Sequence, residues 1–400
     1  MPALLNGYLL SLLLIGLNYG AGAQPRLTGK VLDAVSGQPV PYASVSVLNT
    51  RRGTTANAEG EFDLPAPPLP ARLVVSDLGH MRDTVAVRTA APVLVVRLQP
   101  ASVQLPEVQL GSYTEELIRQ AYRELRRSRG QKTYGRAFYR QITRHGGDPT
   151  EVQEMVWDAK TSSAGAAGAA LVQGRFAKKK ALLSFTDFSH FAKTLHFFSP
   201  EADSTTFKGA ISLNVTQAYT LKLLSVTDNG PQQLVEIAFA CKPGPAASGE
   251  SGQITIDEAT HQILRLRLNM PSYIKLKTNN PTFTYKDVMT RAEFGFRSTP
   301  GGAVPEYLQV SYQVVLGRLL KADLPVEVTS LVSYYDGQFT PTGATYAGGK
   351  AGESDLAAIK RTTYDPAFWQ NNSAVKRTPL EESVIKSFEQ KGAFGTMLTP

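Results

Sequence analysis

The residues that could carry chemistry are few and widely spaced. A zinc hydrolase needs imidazole and carboxylate ligands at fixed spacing plus a general-base glutamate, because the metal must keep one position open for the water it activates. The 400-residue chain has five histidines, His80, His145, His190, His196 and His261, and none opens an H-x-x-E or H-E-x-x-H motif. His80 and His145 are each followed three places on by an aspartate, Asp83 and Asp148, a pairing that exposed turns produce by chance. No G-x-S-x-G nucleophile elbow, G-x-x-x-x-G-K-[ST] phosphate loop or G-x-G-x-x-G dinucleotide fingerprint occurs. The sole cysteine, Cys241, lies in a strand-like run, where it reads as a small buried hydrophobe rather than a nucleophile. The expectation is a non-catalytic chain with no metal and no cofactor.

Two surfaces have the composition to meet a partner. Between Glu115 and Arg144 there are nine Lys or Arg against three Glu. On a helix over 115–129, Leu117, Ile118, Ala121, Tyr122 and Leu125 form one apolar face, so Arg119, Arg123, Arg126 and Arg127 line the remainder. Such a face suits an anionic partner such as lipid headgroups or lipopolysaccharide, or it is simply solvated. The second surface is Lys178-Lys179-Lys180 followed by Leu182, Leu183, Phe185, Phe188, Phe191, Leu195, Phe197 and Phe198. A helix over 181–195 would align Leu182, Phe185, Phe188, Phe191 and Leu195. That stripe fits a membrane interface beside three lysines, the lining of an apolar cavity, a protein contact, or an ordinary core-packing face. No RNA- or DNA-binding motif is seen, so nucleic acid is not an expected partner.

These residues need a frame, and the composition is that of a globular one. The chain is 42% hydrophobic and 19% charged with a net charge of +8, which fits neither collagen nor a long coiled coil. At the N-terminus an apolar run, Leu9 to Leu17, precedes Ala21-Gly22-Ala23, the small-x-small pattern of a signal peptide spanning 1–23. The run falls short of the roughly 20 residues that span a bilayer, and no other uncharged stretch approaches that length. An exported chain without a transmembrane span is therefore expected.

From Leu27 to Leu98 the sequence reads as some seven short strands separated by turn chemistry, which is the pattern of a β-sandwich. In ASVSVL, Ala43, Val45 and Val47 face one way while Ser44 and Ser46 face the other, as in a half-buried strand. Residues 101–112, with Pro106, read as a linker, and Thr114 is placed to cap the basic helix that Gly130 ends. Beyond Tyr134 the runs QLVEIAFA, QITID, ILRLRLNM, FTYKDVMTRAEFGF, EYLQVSYQVVL and EVTSLVSYY predict an antiparallel meander. The small-residue segments 162–170, 242–252 and 343–354 read as loops. A last helix is predicted from about Leu380 to Gln390, docked through Val384, Ile385 and Phe388.

The pattern Gly29-x-Val31-x-Asp33, Gly37-x-Pro39-Val40, Ala43-x-Val45-x-Val47, Gly53-Thr54 and Gly60-x-Phe62-x-Leu64 resembles the carboxypeptidase regulatory-like domain. Gly37 and Gly60 stand where its tight turns need positive φ. The sequence departs from that pattern at Asn57, where Asp is usual, and at His80, where Tyr is usual. The family name comes from proteins in which such a domain sits beside a zinc peptidase domain, and no peptidase domain is present here. The segments LIRQAYREL…AFYRQ (117–141), EMVWDAK (154–160) and YDPAFWQNN…TPLEESVIKSFE (364–389) look like a large group of bacterial exported proteins that carry this domain before an uncharacterised β-rich region. That resemblance implies residence in the Gram-negative envelope and no catalytic role.

The expected architecture is mainly β. A seven-stranded sandwich of transthyretin or immunoglobulin type covers 26–100, a linker covers 101–112, and a larger α+β domain with an antiparallel sheet and a C-terminal helix covers 113–400. The expected function is that of a non-catalytic cell-envelope protein, periplasmic or outer-membrane associated. Its sandwich acts as an interaction or structural module and its β-rich domain binds a protein, polysaccharide or lipid partner. Two alternatives stand beside it: a periplasmic carrier or sensor of lipid-like ligands, with Phe185, Phe188, Phe191 and Phe197 at the ligand, and a peptidase-associated protein.

Overall fold

The computed structural model describes residues 25–396 except 51, 91–92, 105–110, 195–197, 199–208, 231, 245–248, 272, 275, 277–279, 339–342, 344–345, 347–353 and 372–374. The predicted signal peptide and most of the loops predicted around 242–252 and 343–354 lie outside the described residues or border them.

The N-terminal part is a pair of small sheets. In the first, β1 (Arg26–Asp33) lies between β4 (Glu61–Pro65), antiparallel to it, and β7 (Leu94–Leu98), parallel to it. In the second, β2 (Ser44–Val47) lies between β3 (Gly53–Thr55) and β5 (Ala71–Asp77), and β6 (His80–Val87) pairs with β5 at the edge. The alternation read in the sequence is real: Val45 and Val47 are buried with Val31, Phe62, Leu64, Leu73 and Val75, while Ser44 and Ser46 are not. Gly37 and Gly60 take φ of 69° and 70°, and a Cβ at Gly60 would come within 2.5 Å of the Val31 carbonyl oxygen. Asn57 does the turn-closing work expected of an aspartate there, because its Oδ1 accepts from the backbone N–H of Glu59 and of Glu61.

The rest is one antiparallel sheet of eleven strands. It contains β8 (Ser102–Gln104), β9 (Thr133–His145), β10 (Asp148–Ser162), β11 (Gly165–Lys178), β12 (Tyr219–Asn229), β13 (Gln232–Cys241), β14 (Ser251–Asp257), β15 (Ile263–Pro271), β16 (Phe283–Arg297), β17 (Val304–Arg318) and β18 (Lys321–Gln338). The spatial order is β11-β10-β9-β18-β17-β16-β15-β14-β13-β12-β8. Two meanders are therefore joined where the first strand, β9, pairs with the last, β18. Within the stretch read as a linker, Ser102–Gln104 forms β8 and pairs with β12.

One face of this sheet holds the main core. Helix α1 (Gly111–Ser128) lays Leu117, Ile118, Ala121, Tyr122 and Leu125 into it, as the spacing predicts, and the short α3 (Val215–Ala218) adds Val215. The helix starts earlier than the sequence suggests, so Thr114 is buried within it instead of capping it. On the opposite face of β9–β11, helix α6 (Pro379–Glu389) and the short α7 (Ala393–Thr396) bury Val384, Ile385, Phe388 and Phe394 against Ile142, Val152 and Ala177. Thr378 caps α6 in a full capping box with Glu381.

The reading of 162–170 as a loop is corrected: β11 begins at Gly165 and pairs with β10 along its length. One of its glycines serves packing. A Cβ at Gly174 would stand 2.6 Å from Ile359 of helix α4 (Asp355–Lys360), so the bare backbone admits that helix.

Candidate binding cleft

The strands β9–β11 are covered on both faces, and their alternation therefore places charged side chains in a buried layer. Arg140 of β9, Glu154 of β10 and Arg175 of β11 point to the same side as Phe138, Ile142, Val152, Val156 and Ala177, beneath the C-terminal helices. The Glu154 side chain is 1% exposed. It accepts from Arg140 Nε at 2.9 Å and from Arg175 Nε at 2.7 Å, and the second guanidinium also donates to it through Nη2. Arg377 stands 3.8 Å from the same carboxylate. Burial alone would raise the Glu154 carboxyl, but Arg175, Arg140 and Arg377 outweigh it and hold the group down at about 2.

Each arginine reaches onward into the helices. Arg140 contacts Glu381 at 3.2 Å, Arg175 contacts Glu389 at 2.9 Å, and Arg377 contacts Glu382 at 3.0 Å. The Arg175 guanidinium, 1% exposed, lies between two rings, 4.8 Å from Trp369 and 4.4 Å from Phe394. Above this layer opens a cleft of about 660 Å³. Its walls come from three parts of the molecule: Glu61 and Asp63 of the sandwich, Arg140 and Arg175 of the sheet, and the segment around Tyr364, Trp369 and Lys376. Trp369 belongs to helix α5 (Pro366–Asn371). Lys376 closes the cleft against the sandwich through Glu61 at 3.1 Å.

The lining cations all have carboxylate partners, so the cleft is charge-balanced rather than an anion trap. Its chemistry is that of a polar groove with an aromatic wall, able to hydrogen-bond and stack on a polar polymer or a peptide. Sequence reasoning did not single out Arg140, Glu154, Arg175 or Glu389, because their spacing exceeds any local motif. One signal was present: the segments 117–141, 154–160 and 364–389, quoted above for their resemblance to exported proteins, supply Arg140, Glu154, Trp369, Glu381 and Glu389 of this assembly.

The residues singled out from sequence lie elsewhere. Phe188 is 2% exposed and sits in the main core, with Phe185 and Phe191 partly buried against it. Phe185 also packs on Tyr312. The helix considered over 181–195 is corrected, since among the described residues of that stretch only Ser189–Thr194 (α2) is helical. The preceding residues are pulled out of helical geometry by Glu151, which accepts from Ser184 Oγ and the Phe185 N–H, and by Gln141, which donates to the Phe185 carbonyl. Phe197 lies outside the described residues.

On α1 the basic face is largely neutralised along the helix itself. Arg119 pairs with Glu115, Arg123 pairs with Glu116 at 3.2 Å, and Arg127 makes a two-bonded pair with Glu124 at 2.7 Å. Arg126 rests 6.0 Å from the Tyr122 ring.

A second polar cluster joins the sandwich to the sheet. His80, where the family pattern has Tyr, bridges Asp77 and Asp33 at 3.0 Å each, and Asp77 takes a third contact from Arg265 of β15 at 3.0 Å. The hydrogen bond that the His80 imidazole donates to Asp77 raises its pKa, burial opposes this, and Asp33 adds to the rise. Nearby, Ser44 Oγ donates to Glu306 of β17 at 3.0 Å, and Tyr42 and Tyr307 pack with ring centres 5.5 Å apart. No group of three or more potential metal ligands is assembled among the described residues. No helix among the described residues is long and apolar enough to cross a membrane.

Comparison with known proteins matches residues 27–110 to the CarboxypepD_reg-like domain family. The chain thus carries that domain, followed by a large β-rich region of unknown function. No curated protein gives a significant match to the chain. Among solved structures, a DUF1329 family protein from Desulfovibrio piger ATCC 29098 is similar at a TM-score of 0.25 and 8% identity, over 60% of this chain and 96% of its own. A LolA superfamily protein from Nitrosomonas europaea is similar at 0.21 and 10% identity, over 56% and 93%. A protein of unknown function from Bacteroides fragilis NCTC 9343 is similar at 0.16 and 11% identity, over 78% and 97%. At these TM-scores the likenesses carry no functional meaning for this chain.

Proposed function

We propose that the chain is a non-catalytic cell-envelope protein whose regulatory-like sandwich is a structural module and whose polar, aromatic-walled cleft holds a partner or polymer. The observation that carries this reading is the construction of the cleft. A sandwich strand, two sheet strands and the C-terminal helices each contribute walls, and they are tied together by ion pairs that would be costly to bury for stability alone. The peptidase-associated reading has no such support, because it rests on a family name.

The chain's two tryptophans make the test direct. Trp157 lies in the main core and Trp369 lies at the cleft. Titrating the protein with soluble peptidoglycan fragments and with envelope polysaccharide should change tryptophan emission in the parent and not in Trp369→Phe. Unchanged emission with every envelope polymer, and no envelope cross-link from a photoreactive group at Lys376, would remove the binding part of the proposal. A hydrolase activity abolished by one point substitution would remove the non-catalytic part.

A further inference from the structure

The antiparallel register brings several turns to one end of the large sheet. β9 ends and β10 begins there, as do the end of β11, the end of β15, the start of β16, and the turn between β17 and β18. At that last turn Arg318 pairs with Lys321, and the two residues between them are leucines. Leu319 is 65% exposed and Leu320 is 96% exposed. Leu320 also takes φ of 60°, a left-handed conformation for which a hairpin turn normally uses Gly or Asn. The fold gains nothing from a leucine at that position, because neither its backbone preference nor its burial is satisfied.

Among the described residues, the same end carries the other large exposed hydrophobics of the β-rich region's sheet connections. Leu182 follows β11, and Tyr273 follows β15 with its ring 6.3 Å from Phe191. Interspersed with them are cations. Lys178 closes β11, Lys180 stands two residues beyond it and Lys321 opens β18; none of the three is ion-paired among the described residues, the Glu151 carboxylate opposite Lys178 being taken by Thr143, Ser184 and the Phe185 N–H. With strands about 4.8 Å apart, β11 and β17 are separated by four spacings, or roughly 19 Å along the sheet, and the register sets Lys178 level with Val328 and Tyr312, so the leucine tip projects beyond the lysines at the same end of the sheet.

We infer that this end of the sheet docks on a bilayer surface bearing anionic headgroups, with the Leu319–Leu320 turn entering the acyl boundary and Lys178, Lys180 and Lys321 meeting the phosphates. Convex leucines flanked by unpaired lysines are complementary to such a surface in both shape and charge. A protein partner fits less well, since a stable interface buries about 800 Å² on each side and a two-residue projection offers far less. This inference rests on the envelope reading and deepens it by naming the surface the protein meets.

The test uses the full chain with vesicles of two-thirds phosphatidylcholine and one-third phosphatidylglycerol, and with phosphatidylcholine alone, read by co-sedimentation. The parent should bind the anionic vesicles, and Leu319→Ser/Leu320→Gly should bind at least about tenfold more weakly. Glycine suits the left-handed position, so that variant should keep or raise its melting temperature, which separates lost docking from lost folding. Lys180→Glu/Lys321→Glu should abolish the preference for anionic vesicles. Residues 1–24 are common to all variants, so binding due to them leaves no difference between parent and variant.

Equal binding by parent and leucine variant overturns the inference, as does failure of the parent to bind. A dimer in sedimentation velocity that the leucine variant dissolves overturns it in favour of a second copy covering the tip. Cell fractionation judges the envelope reading separately. An envelope-located chain that ignores vesicles defeats only the tip, whereas a cytosolic chain defeats both.

Discussion

The sandwich and the first meander of the large sheet are built from the same kind of strand but bury it differently. In the sandwich one face of each strand meets the core and the other meets solvent, so β1 and β2 alternate between buried and part-exposed positions. In β9 and β10 both faces are covered, by the main core on one side and the C-terminal helices on the other, and long stretches are buried continuously. The difference matters for charge. A sandwich ion pair such as Arg26–Asp63 keeps access to water, whereas Glu154, Arg140 and Arg175 have exchanged water for one another.

The sharpest way to break this comparison is to put a charge into the core itself. Phe188→Asp should leave no folded protein by circular dichroism, and Phe188→Ala should cost about 3–5 kcal/mol in urea denaturation. A folded Phe188→Asp protein that had only lost a co-purifying lipid would favour the carrier alternative. Next in size, Glu154→Ala strands two buried guanidinium groups and should cost about 3–5 kcal/mol. Asp63→Ala, its sandwich counterpart, should cost about 1 kcal/mol or less by the same denaturation measurement. Near-equal losses would mean that the burial contrast does not govern the energetics.

Two smaller effects sharpen the contrast. Removing the cap of α6 with Thr378→Ala should cost about 1 kcal/mol, seen as faster proteolysis after residue 360 before any change in the sandwich. The pH dependence should differ between the two regions as well. Glu154 is depressed to about 2, so its stabilisation is complete above the ordinary carboxylate range near 4.5 and is lost as pH falls toward 2. His80 is raised above 6.5, so its contribution to the sandwich–sheet joint is complete below 6.5 and is lost as pH rises through the elevated value. Thermal melts across about pH 2 to 9 should therefore show a decline on the alkaline side that His80→Gln removes, and a loss in acid that His80→Gln leaves in place.

Legibility followed the same division. The strands of the sandwich and the meander from β13 to β18 were readable because one face of each strand is polar or turn-bounded, which makes period two visible. β9, β10 and β11 were not predicted strand by strand, since a strand buried on both sides mixes Trp, Met, Arg and Glu without regard to a solvent face. The stretch 165–170 was misread because a run of Gly and Ala carries no alternation of side-chain size to mark a strand, although it pairs with β10. The aromatic run 182–198 was legible as unusual, but its location was not, as one glutamate 34 residues away decides where Phe185 lies.

By itself the sequence determined the presence of the regulatory-like domain, the turns at Gly37 and Gly60, helix α1 and its apolar face, and the docking face of α6. Each depends on interactions between residues a few positions apart, which leave a local signature. Only the tertiary structure decided that β9 closes onto β18, that Arg140, Glu154 and Arg175 share one buried layer beneath helices more than 200 residues further on, and that Leu319 and Leu320 stand exposed at the same end of the sheet as Lys178 and Lys180. Those placements come from pairing between distant strands, and nothing in the local spacing of the residues encodes which strands will pair.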